Sequence, residues 1–296
     1  MQPRSVSIPR DKTTFSFMSV FSAFIYPALG LILLAVMIAL GAGLSSVSLH
    51  WYYLPLGLGV AAFAVFLCNL GIGPMHRIWQ HRAGEITGFG RVIVAFNLAL
   101  AMQGKVTDWV NYHSQHHRFA DKPGDPHNPF EGKLWAWVGW IIWRDPVDMA
   151  RPMPLWIKEN AAARFLDRKY NLISILIHFV APAIAYLATW ALGGSLILTG
   201  IIHASVIIGR AVQFHATVYG INVLGHLPTP KWADHLMALL TGGEAYHDHH
   251  HDEPSSALHL PRKGFLNRIF DYNGTILLIF EKLGWAKNLR IAPQFA

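Results

Sequence analysis

Nine histidines, gathered at regular spacings, are the residues of this chain best suited to chemistry. They follow the patterns H-x-x-x-x-H, H-x-x-H-H, a single His, and H-x-x-H-H again. The members are His76, His81, His113, His116, His117, His226, His247, His250 and His251. Neutral imidazole is a strong ligand for transition metals, and this many imidazoles exceed what a single ion can bind. The pattern therefore predicts a shared site for two metal ions.

Both H-x-x-H-H motifs are compatible with helices that present their histidines on one side. Residues i, i+3 and i+4 of an α-helix project within an arc of about 100°. Two facing triplets would thus form a cage with room for two ions. His76 and His81 are separated by five positions, which corresponds to about 140° around an ideal helix. We therefore expect that these two need not bind the same ion and that one lies near a helix end.

Most histidines outside these motifs are expected to have structural roles. They are His50, His178, His203, His215 and His235. His249 stands inside the last motif but off the face that its triplet shares, so it is not expected to bind a metal. The metal itself stays open at this point, because all-imidazole sites suit zinc, copper, iron and nickel, and spacing alone does not exclude a hydrolytic dizinc site.

The elements that must position these histidines are predicted to be membrane-spanning helices. The chain has 296 residues, of which 53% are hydrophobic and 14% are charged, whereas soluble domains carry about a quarter charged residues. The blocks Thr13–His76 and Tyr170–Gly209 contain no Asp, Glu, Lys or Arg. Since a span needs about 20 apolar residues, each block fits two helices separated by a turn, at Leu44–His50 and at Leu192–Ser195. The sequence predicts an all-α integral membrane protein with four transmembrane helices in two hairpins, at about 20–43, 51–73, 172–192 and 195–219.

The distribution of charge predicts the orientation of these hairpins. All 24 Lys and Arg residues lie outside the two turns, so the positive-inside rule places both termini and the segments 74–170 and 220–296 in the cytoplasm. There they are expected to form a cytoplasmic helical domain that holds the histidine site, within a single membrane domain of residues 1–296. Topology and anionic headgroups explain the net charge of +7, and no nucleic-acid partner is inferred from it. Cys68 is the only cysteine, which excludes a disulfide framework and a thiolate zinc site.

The histidine motifs and their flanks resemble those of the membrane-bound fatty acid desaturases, in particular the stearoyl-CoA (Δ9) type and its bacterial relatives. Residues His76–Arg82 read H-R-I-W-Q-H-R, similar to the family's H-R-x-x-x-H-R. Residues Trp109–His117 read W-V-N-Y-H-S-Q-H-H, and D-P-H-N follows at Asp125–Asn128. Residues Gly243–His251 read G-E-A-Y-H-D-H-H-H, similar to G-E-x-x-H-x-x-H-H.

This resemblance implies a non-haem di-iron enzyme that inserts a double bond into a long acyl chain, with O2 as the oxidant. Asn222 and His226 match the family's N-x-x-x-H, so the implied ligands of the two iron ions are the nine histidines and Asn222. His127 belongs to D-P-H-N and not to the ligand set, which implies a structural role or a headgroup contact.

The same resemblance implies the partners and the location of the protein. An acyl-CoA or acyl-lipid substrate, membrane lipid and an external electron donor are implied. This donor would be cytochrome b5 or ferredoxin with its reductase. The implied location is a bacterial inner membrane, with the active site on the cytoplasmic side.

Polar neighbours of the motifs are candidates for accepting the free N–H of a ligating imidazole and so fixing its tautomer. They are Asp108, Asn111, Asp125, Glu244 and Asp248. Cations between the second motif and the third span are candidates for binding the phosphates of a CoA or lipid headgroup. They are Arg144, Arg151, Lys158, Arg164, Arg168 and Lys169.

Departures from the family pattern leave the substrate undefined and two alternatives open. They occur at Trp137, at Leu227–Pro230 and at Asp252–Pro254. The nearer alternative is a related oxidation of an acyl chain on the same centre, as by an acetylenase, hydroxylase or decarboxylase. The more distant one is a divalent-metal membrane transporter. That function requires polar ligands along a path inside the spans, where the sequence has only scattered histidines.

Overall fold

Helices dominate the structure, a computed structural model that describes residues 14–43, 50–144 and 154–296. The helices are α1 (Phe17–Gly43), α2 (Tyr53–Gln80), α3 (Gly90–Ala101), α4 (Val106–Phe119), α5 (Leu155–Lys158), α6 (Ala161–Ala191), α7 (Leu196–His226), α8 (Lys231–Thr241), α9 (His247–Asp252), α10 (Phe265–Phe270) and α11 (Tyr272–Lys282). The long helices contain π-helical segments at Phe21–Ile25, Met75–Gln80, Leu176–Val180 and Ala216–Ile221. Between α4 and α5, a π-helical turn at Trp135–Gly139 continues into an α-helical turn at Trp140–Ile142.

Four of these helices, α1, α2, α6 and α7, are long and apolar enough to cross a membrane. The prediction of an all-α membrane fold with four spans is therefore confirmed. The turn predicted at Leu192–Ser195 separates α6 from α7. The turn predicted at Leu44–His50 lies outside the described residues except for His50. The side of the membrane on which the termini lie stays a prediction.

Three of the spanning helices extend beyond the predicted ends. Helix α2 continues to Gln80, α7 continues to His226, and α6 begins at Ala161 instead of near residue 172. Hydropathy alone did not indicate this start, because the first turns of α6 carry charged residues. A helix can extend beyond its apolar part. Its N-terminus is nevertheless well formed, since the side chain of Asn160 accepts hydrogen bonds from the backbone N–H groups of Ala162 and Ala163.

Close backbone contacts hold the long helices together. A Cβ atom at Gly209 of α7 would lie 2.2 Å from the carbonyl oxygen of Ala61 in α2. One at Gly71 of α2 would lie 2.4 Å from the backbone nitrogen of Leu98 in α3. Glycine allows these helices to approach more closely than any side chain would, as is common where membrane helices cross.

Helix α4, which carries the second histidine motif, is held at its N-terminus by α6. Its first N–H groups have no cap from the preceding residue, Lys105. Instead, the carboxylate of Asp167 accepts hydrogen bonds from the N–H groups of Val106 and Thr107, at 2.8 and 3.3 Å. A negative charge at this end also favours the helix dipole. The second motif is thereby fixed to the third spanning helix.

Two short antiparallel strand pairs attach the terminal segments to this bundle. Strand β1 (Thr14–Phe15) pairs with β3 (Trp143–Arg144), next to the start of α1. Strand β2 (Glu85–Ile86), which follows the first histidine motif, pairs with β4 (Ala286–Lys287) near the C-terminus.

Candidate metal centre

Five of the nine histidines form a first group, which contains His76, His81, His113, His117 and His250. The Nε2 atom of His113 lies 2.9 Å from that of His76, 2.9 Å from that of His81 and 3.0 Å from that of His117. The Nε2 atom of His250 lies 2.9 Å from that of His117 and 3.1 Å from that of His76. One nitrogen of each ring lies within 4.8 Å of the corresponding nitrogen of every other ring.

The other four histidines form a second group, which contains His116, His226, His247 and His251. The Nε2 atom of His251 lies 2.9 Å from that of His247 and 3.1 Å from that of His116. The Nε2 atom of His226 is buried and has no hydrogen-bond partner among the described residues. The structure thus brings together all nine histidines that the sequence singled out.

Each H-x-x-H-H triplet is divided between the two groups, which the sequence argument did not foresee. His113 and His117 of α4 face the first group, whereas His116 faces the second. In α9 the pattern is reversed, since His247 and His251 face the second group and His250 the first. Residues i and i+4 therefore share a group, and residue i+3 points into the neighbouring one. This exchange joins the two groups into one unit.

A π-helical segment brings His76 and His81 into the same group. On an ideal α-helix these residues would be about 140° apart, but Met75–Gln80 is a π-helix in which the N–H of His81 donates to the carbonyl oxygen of His76, at 3.2 Å. The wider i→i+5 turn places residues five apart nearly above each other. The expectation that His76 and His81 need not share a site is therefore corrected, since both belong to the first group. The expectation that one of them lies near a helix end is met by His81, which follows the last residue of α2.

The geometry of both groups fits metal ions. Two ligands at a typical distance of about 2.1 Å from one ion, and 90° apart, lie about 3.0 Å from each other. The closest Nε2 pairs are at 2.9–3.1 Å in both groups. Without an ion, such nitrogens would oppose lone pairs or compete for single protons. The donors are all imidazoles, which suit zinc, copper, iron and nickel.

Burial keeps four of these imidazoles neutral, as metal binding requires. Burial, and then repulsion by the neighbouring rings, holds the pKa of His113 and His250 well below the usual value. The same causes lower the pKa of His117 to about 2 and that of His251 to about 3. A bound cation would therefore meet unprotonated rings at these four positions at neutral pH.

Carboxylates hold the outward nitrogens of three of these rings. The Nδ1 atom of His76 lies 2.7 Å from Oε2 of Glu244, and that of His116 lies 3.0 Å from Oδ2 of Asp125. Both carboxylates were predicted for this role. The Nδ1 atom of His226 lies 2.9 Å from Oδ1 of Asp121, which the sequence argument missed. In each case the carboxylate orients Nε2 towards the group.

The remaining predicted acceptors are placed differently. Asp248 is exposed on α9. Asp108 lines a separate cavity with Lys105 and Tyr170. Asn111 is buried, but no hydrogen bond from it to a histidine of either group is present among the described residues. These three assignments therefore receive no support from the geometry. The signal that could have separated them was helical phase, since Asp108 and Asp248 fall off the histidine faces.

A buried ion-pair network contacts the first group through Glu244, which holds the ring of His76. Arg77 is fully buried, and its guanidinium donates to Glu244 at 2.9 Å and to Asp271 at 2.8 Å. It also lies 3.1 Å from Nδ1 of His259, which is buried too. Asn273 donates to Glu244 at 2.9 Å. Burial alone would raise the pKa of Glu244, but Arg77, His259 and His76 together lower it below its usual range.

Sequence reasoning assigned no role to His259, or to Arg77, although Arg77 stands in the first histidine motif. Arg77 is the first charged residue after a long uncharged block, which signals a cation that needs a partner. His127 was expected to have a structural role or to contact a headgroup, and the structure places it against the second group. Its ring centroid lies 4.4 Å from that of His116, and its Nδ1 atom lies 3.6 Å from Asp125. Together with Asp125 these rings form a third close set, but Asp125 already accepts from the outward nitrogen of His116.

A narrow, mostly apolar cavity reaches both groups. Asn222 lines it together with His116 and His247, so the chain brings this predicted ligand to the site. Side chains of the long helices and of the segment 135–142 form most of the wall. They include Ile72, Trp140, Ile141, Phe214, Val218 and Ile221. The ring of Trp109 stacks on that of His113, with centroids 4.5 Å apart.

The cations proposed for a headgroup do not line this cavity. Lys158, Arg164, Arg168 and Lys169 are exposed on α5 and α6. Arg144 belongs to β3, although nothing is described of its side chain, and Arg151 lies outside the described residues. Their role stays a prediction.

Comparison with known proteins relates the chain to desaturases. No protein-family model matches it. It is 28% identical over 273 residues to acyl-CoA desaturase 1 of Saccharomyces cerevisiae, which covers 83% of this chain and 50% of the relative. It is 28% identical over 209 residues to stearoyl-CoA desaturase 5 of Homo sapiens, covering 68% and 63%. It is also 28% identical over 244 residues to sn-1 stearoyl-lipid 9-desaturase of Synechocystis sp., covering 79% and 72%. The chain thus spans about half to two thirds of the length of the first two relatives.

The buried network predicts a large effect of Glu244→Gln. The substitution removes one of two negative charges that compensate Arg77 and leaves that cation partly unpaired in the interior. We expect a loss of roughly 2–4 kcal/mol in the free energy of unfolding, measured as a lower midpoint of thermal unfolding in detergent. Glu85→Gln is the matched control, because Glu85 pairs with Lys287 at the surface and should leave the midpoint nearly unchanged. Equal midpoints for the two variants would contradict the role assigned to the network.

Proposed function

We propose that this chain, which is similar to Δ9 desaturases over most of its length, inserts a double bond into a long acyl chain at a pair of non-haem iron ions, with O2 as oxidant. The observation that carries the proposal is the position of two imidazole groups at an apolar cavity between membrane helices. Removing hydrogen from an unactivated C–H bond is beyond acid–base side chains, and a bound redox-active metal pair supplies that chemistry.

The residues proposed to hold the metals are the nine histidines and Asn222. The first group, with five imidazoles, would hold one ion, and the second, with four imidazoles and Asn222 nearby, the other. Glu244, Asp125 and Asp121 orient the rings of His76, His116 and His226 and increase their basicity. The protein itself thus contributes neutral, prealigned donors in a site where burial has already removed most water.

The apolar cavity is proposed to bind the acyl chain. Its wall at Trp140, Phe214 and Val218 offers contacts that an alkyl chain can use but few that a polar substrate needs. A second cavity, of about 530 Å³, lies between α1, α4 and α6. Gln103, Ile141 and Phe214 line both cavities. A chain that passed these three residues would run from the outer surface of the helix bundle to the histidines. Fixing the chain in this way would determine which carbon atoms meet the metals.

The proposal extends to the partners and the location. Some relatives are named for acyl-CoA and others for acyl-lipid, so the proposal concerns the acyl chain and not the group that carries it. Electrons would come from a separate donor, cytochrome b5 or ferredoxin with its reductase. The proposed location is a bacterial inner membrane, with the termini and the histidine site on the cytoplasmic side.

Metal analysis tests the ligand assignment. His117→Ala removes a ligand from the first group, and His251→Ala removes one from the second. We expect the purified protein to contain about two iron ions per chain and each variant to contain about one. His249→Ala is the control, since this ring contacts the carbonyl oxygen of His259 and belongs to neither group. The ligand assignment is wrong if both ligand variants keep the iron content of the control.

Expression in a host that lacks its own desaturase tests the activity. We expect unsaturated acyl chains in the host lipids, measured by gas chromatography and mass spectrometry, when iron and an electron donor are supplied. His116→Ala and His250→Ala should abolish the product and leave membrane insertion intact. Hydroxylated, acetylenic or shortened chains would instead favour one of the related oxidations. Absence of any oxidised product from an iron-loaded protein would overturn the proposal.

The proposed path of the acyl chain can be blocked at one residue. Ile141→Trp adds bulk where the two cavities meet, so we expect product formation to fall by about tenfold or more while the iron content stays the same. Ile184→Trp is the control, because Ile184 is 60% exposed on α6 and lines neither cavity. An Ile141→Trp variant with the activity of the control would exclude this path.

A further inference from the structure

A third cavity, away from the histidines, is lined by three arginines. Its volume is about 470 Å³, and the side chains of Arg82, Arg91 and Arg290 contribute to its wall. The wall also includes Trp156 and Asn160. We call this feature the arginine cavity. It contains none of the cations that sequence analysis proposed for a headgroup.

The three guanidinium groups are the main source of charge in this cavity. Among the described residues, none of them forms an ion pair. Arg82 lies over the ring of Trp156 at 5.1 Å, and Arg91 donates through Nε to the carbonyl oxygen of Ile86. Two carboxylates, Glu85 and Glu159, also line the cavity. Because Glu85 pairs with Lys287 at 3.1 Å, the charge of Glu159 remains to offset the charges of three arginines. The cavity therefore carries an excess of positive charge.

The backbone around the cavity adds to this charge and fixes its shape. Helix α6 begins at the cavity, with Asn160 and Ala161 in the wall, so that the positive end of its dipole faces the space. The pairing of β2 with β4 holds the opposite wall. Arg82 has a φ of 57°, a conformation that is uncommon for a residue other than glycine. The chain thus presents Arg82 at some cost to its backbone.

Exposed apolar side chains flank the arginine cavity. Phe89 and Val92 of the α3 region are 58% and 57% exposed, and Leu155 of α5 is 65% exposed. Val92 is next to Arg91 in the chain, and Leu155 is next to Trp156. Large apolar groups that flank cations are typical of helices that lie at a membrane interface. The side chains around the cavity therefore have the composition expected where a protein surface meets lipid headgroups.

We propose that the arginine cavity binds a phosphate group, and that the apolar flanks select the phosphate of a membrane lipid headgroup. Guanidinium forks match the oxygens of a phosphate and bind them in pairs. The start of a helix is a favourable position for such an anion. The ring of Trp156 is 40% exposed, and indole rings suit the glycerol region of a lipid. This site is independent of the proposed reaction, because it contains no histidine of either group.

Binding of defined lipids to the full-length, metal-loaded protein tests the proposal. Native mass spectrometry of the protein in mild detergent would measure the retention of phosphatidylglycerol, with diacylglycerol as the lipid without phosphate and pyrophosphate as the soluble phosphate. We expect retention of phosphatidylglycerol, no retention of diacylglycerol, and weak binding of pyrophosphate. Arg91→Gln/Arg290→Gln should weaken the binding of phosphatidylglycerol by about tenfold or more, since each arginine loses a charged hydrogen bond.

Arg262→Gln/Arg268→Gln is the matched control, because these two arginines are exposed in or just before α10, do not line the cavity and are not among the cations that sequence analysis proposed for a headgroup. It should change the affinity by less than about twofold. Arg290→Gln alone serves if the double variant does not fold, since the exposed side chain of Arg290 makes no hydrogen bond among the described residues.

Two results would overturn the proposal, and neither depends on turnover. Equal affinities of the cavity variant and the control variant for phosphatidylglycerol would exclude the cavity as the site. Arginine-dependent binding of pyrophosphate without binding of phosphatidylglycerol would exclude a membrane lipid as the ligand. A protein with no desaturase activity could still bind phosphatidylglycerol in this test. A failure of the lipid-binding proposal is therefore distinguishable from a failure of the proposed function.

Discussion

The crowding of unprotonated nitrogens in a buried region is the constraint on which this structure depends. Nine Nε2 atoms face one another in two groups, at distances where lone pairs repel unless a cation lies between them. Burial and repulsion by neighbouring rings lower the pKa of His117 to about 2, so this ring stays unprotonated at neutral pH. Such an arrangement is unfavourable for folding by itself and favourable for binding a metal ion. His116 of α4 belongs to the second group, and His250 of α9 belongs to the first. Each group therefore needs residues from both α4 and α9.

The surrounding ion pairs explain how the chain supports this arrangement. Arg77 and Glu244 stand next to the first and third histidine motifs, and Asp271 belongs to the turn before α11. Because a buried charge without a partner is costly, these three residues must meet when the chain folds. Their meeting aligns the ring of His76 through Glu244. The same interaction thus serves both the stability of the fold and the orientation of a proposed ligand.

Within the described residues, two of the membrane-spanning helices themselves carry histidines of the two groups. Helices α2 and α7 continue past their apolar parts, so that the last turns of α2 carry His76 and the last residue of α7 is His226. The apolar cavity beside these helices shares Gln103, Ile141 and Phe214 with the cavity between α1, α4 and α6. Cations occupy a different side, at Arg82, Arg91 and Arg290. The proposed binding sites for an acyl chain, in the apolar cavity, and for a lipid phosphate, in the arginine cavity, are therefore separate.

The sequence by itself determined the four spans, since a block without charges long enough for two helices has few other stable solutions. It also identified all nine histidines, together with Glu244 and Asp125, because their spacing and neighbours carry the pattern. It could not determine which group each ring joins, since an ideal α-helix separates His76 from His81 and only the π-helical turn aligns them. It could not pair Arg77 with Asp271, or bring Arg82 near Arg290, because these contacts join residues about 200 positions apart. Local pattern specifies the face of a helix, whereas the partner of that face depends on how the helices cross.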